Sequence, residues 1–169
     1  MDKVLRIRDL SFSYPDYHGD GEESLFAGLN LELAPGSFTV IAGVPETGKT
    51  TLTKIINGLI PRYSGGELEG EVQVFGEILP GTSPQELMDR IGLVFQNPDE
   101  QLISTRVDSE IAFPLESLGL ETEEIHWRVE SVLEEFDLRD KRDRNPASLS
   151  GGEKKRVLFA VLAALRVSL

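Results

Sequence analysis

The chain has 169 residues, 40% of them hydrophobic, enough to bury one sizeable core with a small satellite lobe, and no cysteine, which excludes a disulfide framework or a thiolate metal site. With 29 acidic against 17 basic residues the formal net charge is -12, which argues against a nucleic-acid or anionic-lipid surface, because phosphate contacts need clustered Lys and Arg. The longest apolar run, Val157 to Leu165, is nine residues and too short to span a bilayer, and no signal peptide precedes the first strand, so the expectation is a soluble, cytoplasmic protein.

Residues 4 to 14 alternate as a strand that Pro15 closes, and a polar loop from Asp16 to Glu23 follows. Leu29, Leu31 and Leu33 alternate in a second strand. Pro35-Gly36 makes a turn, and the apolar run Phe38 to Ala42 reads as a third strand entering Gly43-Val44-Pro45-Glu46-Thr47-Gly48-Lys49-Thr50. That segment fits G-x-x-x-x-G-K-[ST], the phosphate-binding loop, with the helix-like Thr51 to Asn57 after it. Such a turn aims several unpaired N–H groups at one point, where the helix N-terminus adds roughly half a positive charge. A triphosphate suits that point. Lys49 would reach the outer phosphates, and the Thr50 hydroxyl would hold a Mg²⁺ that keeps most of its waters. With glycine at about 7% of residues, the four fixed positions arise by chance in about one chain of this size in a few hundred.

Gly58 and Pro61 end the helical pattern. Val72, Val74 and Ile78 around Gly76 read as a short hairpin or strand, and Ser83-Pro84 starts another helix with proline at its first position. Ile91 to Phe95 is a short apolar run of the kind expected for a strand buried on both faces of a parallel sheet. From Val107 the pattern is helical, with Pro114 expected to kink or interrupt it. Ile125, Val129, Val132, Leu133 and Phe136 form one apolar stripe on an acidic helix. Leu149-Ser150-Gly151-Gly152-Glu153 then precedes a helix that is apolar from Val157 onward. Ser150 and Glu153 have capping-box spacing. Two successive glycines are harder to explain by capping, since each costs about 1 kcal/mol against alanine inside a helix; they suit a close approach of phosphate to backbone.

A phosphate loop, an L-S-G-G-x segment about a hundred residues later and a helical region between them resemble the ATP-binding cassette (ABC) ATPases over essentially the whole chain. The resemblance implies an α/β P-loop NTPase core with an antiparallel β subdomain and an inserted helical lobe. The corresponding segments are an α/β core over 1-98, a helical lobe over 99-148, and the signature motif with its helix over 149-169. It implies ATP and Mg²⁺ as cofactors, bound by Gly43 to Thr51, with Tyr14 stacked on adenine and Gln96 as the Q-loop residue that joins Thr50 at the metal and senses the γ-phosphate. Leu149, Ser150, Gly151, Gly152 and Glu153 would meet the ATP held by a second cassette subunit, in a homo- or heterodimer. The segments Phe95 to Gln101, Asn57 to Tyr63 and Glu67 to Gly70 are similar to cassettes of energy-coupling factor importers, which take up vitamins and transition-metal ions. That similarity implies transmembrane partner subunits docked on the loop Asn97 to Gln101, and a peripheral position on the cytoplasmic face of the membrane.

The sequence departs from the family at three places. Glu46 stands where these proteins usually carry glycine, and Glu153 where the signature usually has glutamine. The third departure is that the Walker B aspartate, the glutamate that polarises water and the switch histidine come later in the family's order than Leu169. Neither His18 nor His126 matches that histidine. The expectation is therefore a cassette with its C-terminal part missing, holding no catalytic residue and inactive alone. The function read from the resemblance is the ATP-binding subunit of an importer, and the alternative is a non-hydrolysing nucleotide-binding or dimerisation module.

Overall fold

The computed structural model describes residues 3–15, 24–87 and 90–167. The polar loop at 16–23, with His18, lies outside them. The chain forms two compact units, Met1–Met88 and Asp89–Leu169.

The first unit is built on a four-stranded antiparallel sheet in the order β2-β1-β3-β4: β1 Leu5–Ser13, β2 Ser24–Leu33, β3 Glu67–Val74 and β4 Glu77–Leu79. β2 begins five residues before the first leucine of its alternating pattern. In β1 the buried residues are Leu5, Ile7, Leu10 and Phe12, so the two-residue period slips by one in the middle. The slip is a bulge at Asp9, whose φ is 47°. The Asn30 side-chain oxygen accepts from the Asp9 N–H at 3.1 Å and the Asn30 amide donates to the Asp9 carboxylate at 3.2 Å, which satisfies the group the bulge unpairs. Across the sheet Gly70 lies so close that a Cβ there would stand 2.4 Å from the Asp9 carbonyl oxygen; no other residue fits. The hairpin expected around Gly76 is present as β3 and β4, joined at Phe75-Gly76 with both residues at positive φ. Helix α1, Lys49–Ile56, buries Leu52, Ile55 and Ile56, and α2, Pro84–Leu87, is a single turn after Ser83.

Phe38 to Ala42 does not form the expected strand. No segment among the described residues hydrogen-bonds to it as a ladder, and Phe38 and Val40 are 93% and 72% exposed. Alternating apolar residues supply the propensity, but a strand exists only where a neighbour takes up its N–H and C=O groups.

The second unit packs three helices, α3 Val107–Ser117, α4 Thr122–Glu135 and α5 Gly151–Leu165, around one apolar cluster. Val129, Val132 and Leu133 of the expected stripe are buried there, with Ile125 and Phe136 packed at its margin. Burying each such side chain is worth about 1.5–3 kcal/mol. α3 runs through Pro114 to Ser117 rather than being interrupted at it; the proline removes the N–H that would have bonded the Glu110 carbonyl. Ile91 to Phe95 is not a strand either. Its backbone is held instead by the Gln101 side chain, whose oxygen accepts from the Phe95 N–H and whose amide donates to the Leu93 carbonyl, both at 2.9 Å.

Asp108 at the start of α3 accepts from Arg106 and from Arg142, and Arg142 also meets Glu130 of α4. The Arg106 hydrogen bond is the main reason the Asp108 carboxyl titrates low, at about 2. Among the described residues no helix is long and apolar enough to cross a membrane.

Candidate functional site

The phosphate-loop sequence closes on α1 as its pattern demands. Gly48 caps the helix with φ 83°, and a Cβ there would lie 2.7 Å from the Phe26 ring and 3.1 Å from Leu25, so β2 presses directly on the end of the loop. The helix start has neither a side-chain cap nor an acidic residue in its first turn, which leaves its first N–H groups and its positive end available to an anion. The Lys49 ammonium donates to the Gly43 and Val44 carbonyls at 3.1 and 2.6 Å and lies 3.3 Å from the Thr47 hydroxyl, which itself donates to Val44 at 2.9 Å. The loop is thereby wrapped around its own cation. Thr50 is exposed, its carbonyl accepting from Thr53 while its hydroxyl is free to meet a metal ion.

Glu46 sits in this loop with φ 68°, a left-handed conformation that glycine adopts at no steric cost. For another residue it costs about 1–2 kcal/mol. We expect Glu46→Gly to raise both thermal stability and Mg-ATP affinity, the latter several-fold because one like charge leaves the candidate phosphate site. Glu46→Ala removes the charge and keeps the strained backbone, so calorimetry and melting of the two variants separate the causes. Unchanged affinity in both would show that the carboxylate does not face the phosphates.

Tyr14, just past the end of β1, reaches the same place. Its hydroxyl is 3.0 Å from the hydroxyl of buried Thr51 in α1, and its ring stands edge-on to Phe12 at 5.0 Å while remaining 42% exposed. The aromatic and the phosphate loop are thus brought together within one unit, tied through a threonine whose part in this the sequence did not indicate.

The signature turn and Gln96 lie in the second unit. Ser150 and Glu153 make the capping box expected of them: the Ser150 N–H and hydroxyl both donate to the Glu153 carboxylate at 2.8 Å, and the Glu153 N–H donates back to the Ser150 hydroxyl oxygen. The backbone and side-chain bonds from Ser150, helped by Lys141 at 3.6 Å, hold the Glu153 carboxyl below its ordinary range. Leu149 is buried in the helical core and anchors the turn. Gly151 and Gly152 are exposed, have no positive φ, and a Cβ on either would meet nothing within 4 Å. Nothing in this fold requires glycine there.

Gln96 is exposed at the end of the 91–95 segment. Asn97 caps the 3-10 turn Pro98–Glu100, accepting from the Asp99 N–H at 3.2 Å. Asp99 accepts from Lys154 of α5 at 2.6 Å. Two side chains of the expected docking loop, Asp99 and Gln101, are therefore engaged within the chain, which periodicity and spacing could not reveal. Among the described residues no cluster of His, Cys, Asp or Glu could hold a metal ion, and His126 is an exposed residue of α4. A single threonine hydroxyl suits Mg²⁺, which takes its remaining ligands from phosphate and water.

The family model described as ABC transporter matches residues 26–169. A Pyrococcus horikoshii protein provisionally named an ABC transporter ATP-binding protein is 40% identical over 163 residues, covering 96% of this chain and 56% of that protein. The energy-coupling factor transporter ATP-binding protein EcfA of Pediococcus pentosaceus is 35% identical over 164 residues, covering 97% of this chain and 56% of its own length. Across such relatives the chain spans from 25% to just over half of their length. Among solved structures, cbiO1 from Clostridium perfringens, part of the ABC transporter complex cbiONQ, superposes with TM-score 0.80 at 27% identity over 99% of this chain and 63% of that one. A dimeric ATP-binding cassette in a post-hydrolysis state with ADP and Pi superposes with TM-score 0.79 at 25% identity over 96% of this chain and 70% of that one. With the phosphate loop and the signature turn both formed, these matches place the chain in the ABC transporter family, as an ATP-binding cassette.

Proposed function

We propose that this cassette binds Mg-ATP through Gly43 to Thr51 and Tyr14 and, within the whole protein, couples ATP binding and hydrolysis to uptake by an importer, with a vitamin or a metal ion as substrate. The observation that supports the nucleotide reading most directly is the 3.0 Å bond joining Tyr14 to Thr51, which holds a partly exposed aromatic ring beside the uncapped helix end, the arrangement that a purine next to a phosphate would need. Thr50 and Gln96 are the proposed Mg²⁺ ligands. The importer reading is supported by the similarity to EcfA and to cbiO1, the latter solved as part of an ABC transporter complex. Under it the loop 97–101 docks a transmembrane subunit, and the protein sits peripherally on the cytoplasmic face of the membrane. Ser150, Gly151 and Gly152 would contact ATP held by a second cassette, in keeping with the dimeric assembly of a similar structure.

Calorimetric titration with Mg-ATP tests the site. Binding is expected in the wild type, and Tyr14→Ala should weaken it by about 5- to 150-fold, the range of one base-stacking contact. Tyr14→Phe should recover most of that loss, because the ring supplies the stacking and the hydroxyl only orients it. Equal affinity in the alanine variant would remove Tyr14 from the site.

A further inference from the structure

Lys154 is the first residue after the signature turn, and the position does not favour a lysine. It lies at the positive end of α5, where the helix field opposes a cation. Its side chain is nonetheless drawn in to 13% exposure and its ammonium placed 2.6 Å from the Asp99 carboxylate, 55 residues earlier in the chain. Asp99 is not a loose partner. Its backbone N–H is fixed by Asn97, next to Gln96, and the turn it belongs to continues into Gln101, whose side chain grips the backbone of Leu93 and Phe95. This bond therefore ties the first turn of α5, which already packs against the 98–100 turn, to a locally closed segment that carries Gln96.

From this we propose that Lys154 is a positioning residue: its bond to Asp99 makes the first turn of α5 and the 97–101 segment move as one body, so that nucleotide engaged at the signature turn is felt at the docking loop, and a partner on that loop is felt at the signature turn. The proposal rests on the nucleotide reading above for its role in ATP coupling, but not for the mechanical link itself. With its carboxylate 61% exposed the pair adds little to global stability, so the consequence to look for is local and reciprocal.

The test is hydrogen exchange on the full chain for Asp99→Asn, Lys154→Met and the charge swap Asp99→Lys with Lys154→Asp. The amides to follow are Gln101 and Leu102, both bonded to the Pro98 carbonyl, and Lys154, bonded to the Ser150 carbonyl. Each single change should speed exchange about three- to fivefold in both segments, including the one that was not altered, and the swap should restore it. Should Lys154→Met unfold the helix start, Asp99→Asn gives the same information from the exposed side, through the Lys154 amide. Acceleration confined to the mutated segment, or a swap as fast as the singles, overturns the proposal. With Mg-ATP, at a chain concentration where sedimentation shows two cassettes associated, the wild type should gain protection at 100–102 and Asp99→Asn should not, at equal calorimetric affinity. Association with Mg-ATP but without that gain in the wild type overturns the coupling as well. Absence of binding in every variant would instead sink the nucleotide reading and leave the exchange data to decide the link.

Discussion

Lys49→Ala should lower Mg-ATP affinity by about 10- to 150-fold, the equivalent of the roughly 1.5–3 kcal/mol that a hydrogen bond to a charged group contributes. The ammonium bridges the Gly43 and Val44 carbonyls, inside the loop proposed to hold the phosphates. Those carbonyls belong to exposed residues and can turn to water once the lysine is gone. The melting temperature should therefore change little while affinity collapses, and this pairing of results separates a binding residue from a structural one. Lys49→Arg keeps the charge but brings a planar fork into a loop wrapped around a compact ammonium, and should recover only part of the affinity. Equal affinity of Lys49→Ala and wild type by calorimetry would sink the site.

What could be read from the sequence was what is local. The phosphate loop, the α1 start, the hairpin at Phe75-Gly76, the stripe on α4 and the Ser150–Glu153 box are each set by residues within a few positions of one another, and all of them are present. The two expected strands that are absent, Phe38 to Ala42 and Ile91 to Phe95, share a cause. Apolar runs report that a segment would suit a sheet, but a ladder is a property of two segments, and neither run has a partner among the described residues. The positive φ of Glu46 is not set by the residue, because the conformation belongs to the loop and glutamate merely tolerates it. Long-range pairs were invisible for the same reason as the ladders. Tyr14 with Thr51, Asp99 with Lys154, and Arg142 with Asp108 are separated by 37, 55 and 34 residues, and only the folded chain brings them together. The resemblance to a family supplied Tyr14 and Gln96 as candidates; it supplied none of the contacts that hold their surroundings in place.

The signature glycines should give two results of opposite sign. Gly151 and Gly152 occupy the first two positions of α5, where alanine is intrinsically the better helix former by up to about 1 kcal/mol per residue. Neither has a backbone angle that needs glycine, and neither would bring a methyl group against anything in the fold. Gly151→Ala with Gly152→Ala should therefore stabilise the chain, raising the melting temperature by about 2–4 °C for each 1 kcal/mol gained. The same methyl groups would stand where the proposed partner's phosphates come closest to the backbone, so association in the presence of Mg-ATP, followed by sedimentation, should weaken at least about tenfold, the factor that a loss of 1.4 kcal/mol produces. A fold that simply used glycine to turn would show the reverse, lower stability with association falling only as far as unfolding dictates. A variant that is more stable and still associates like the wild type would show that no phosphate approaches this turn, and the signature assignment would have to be given up.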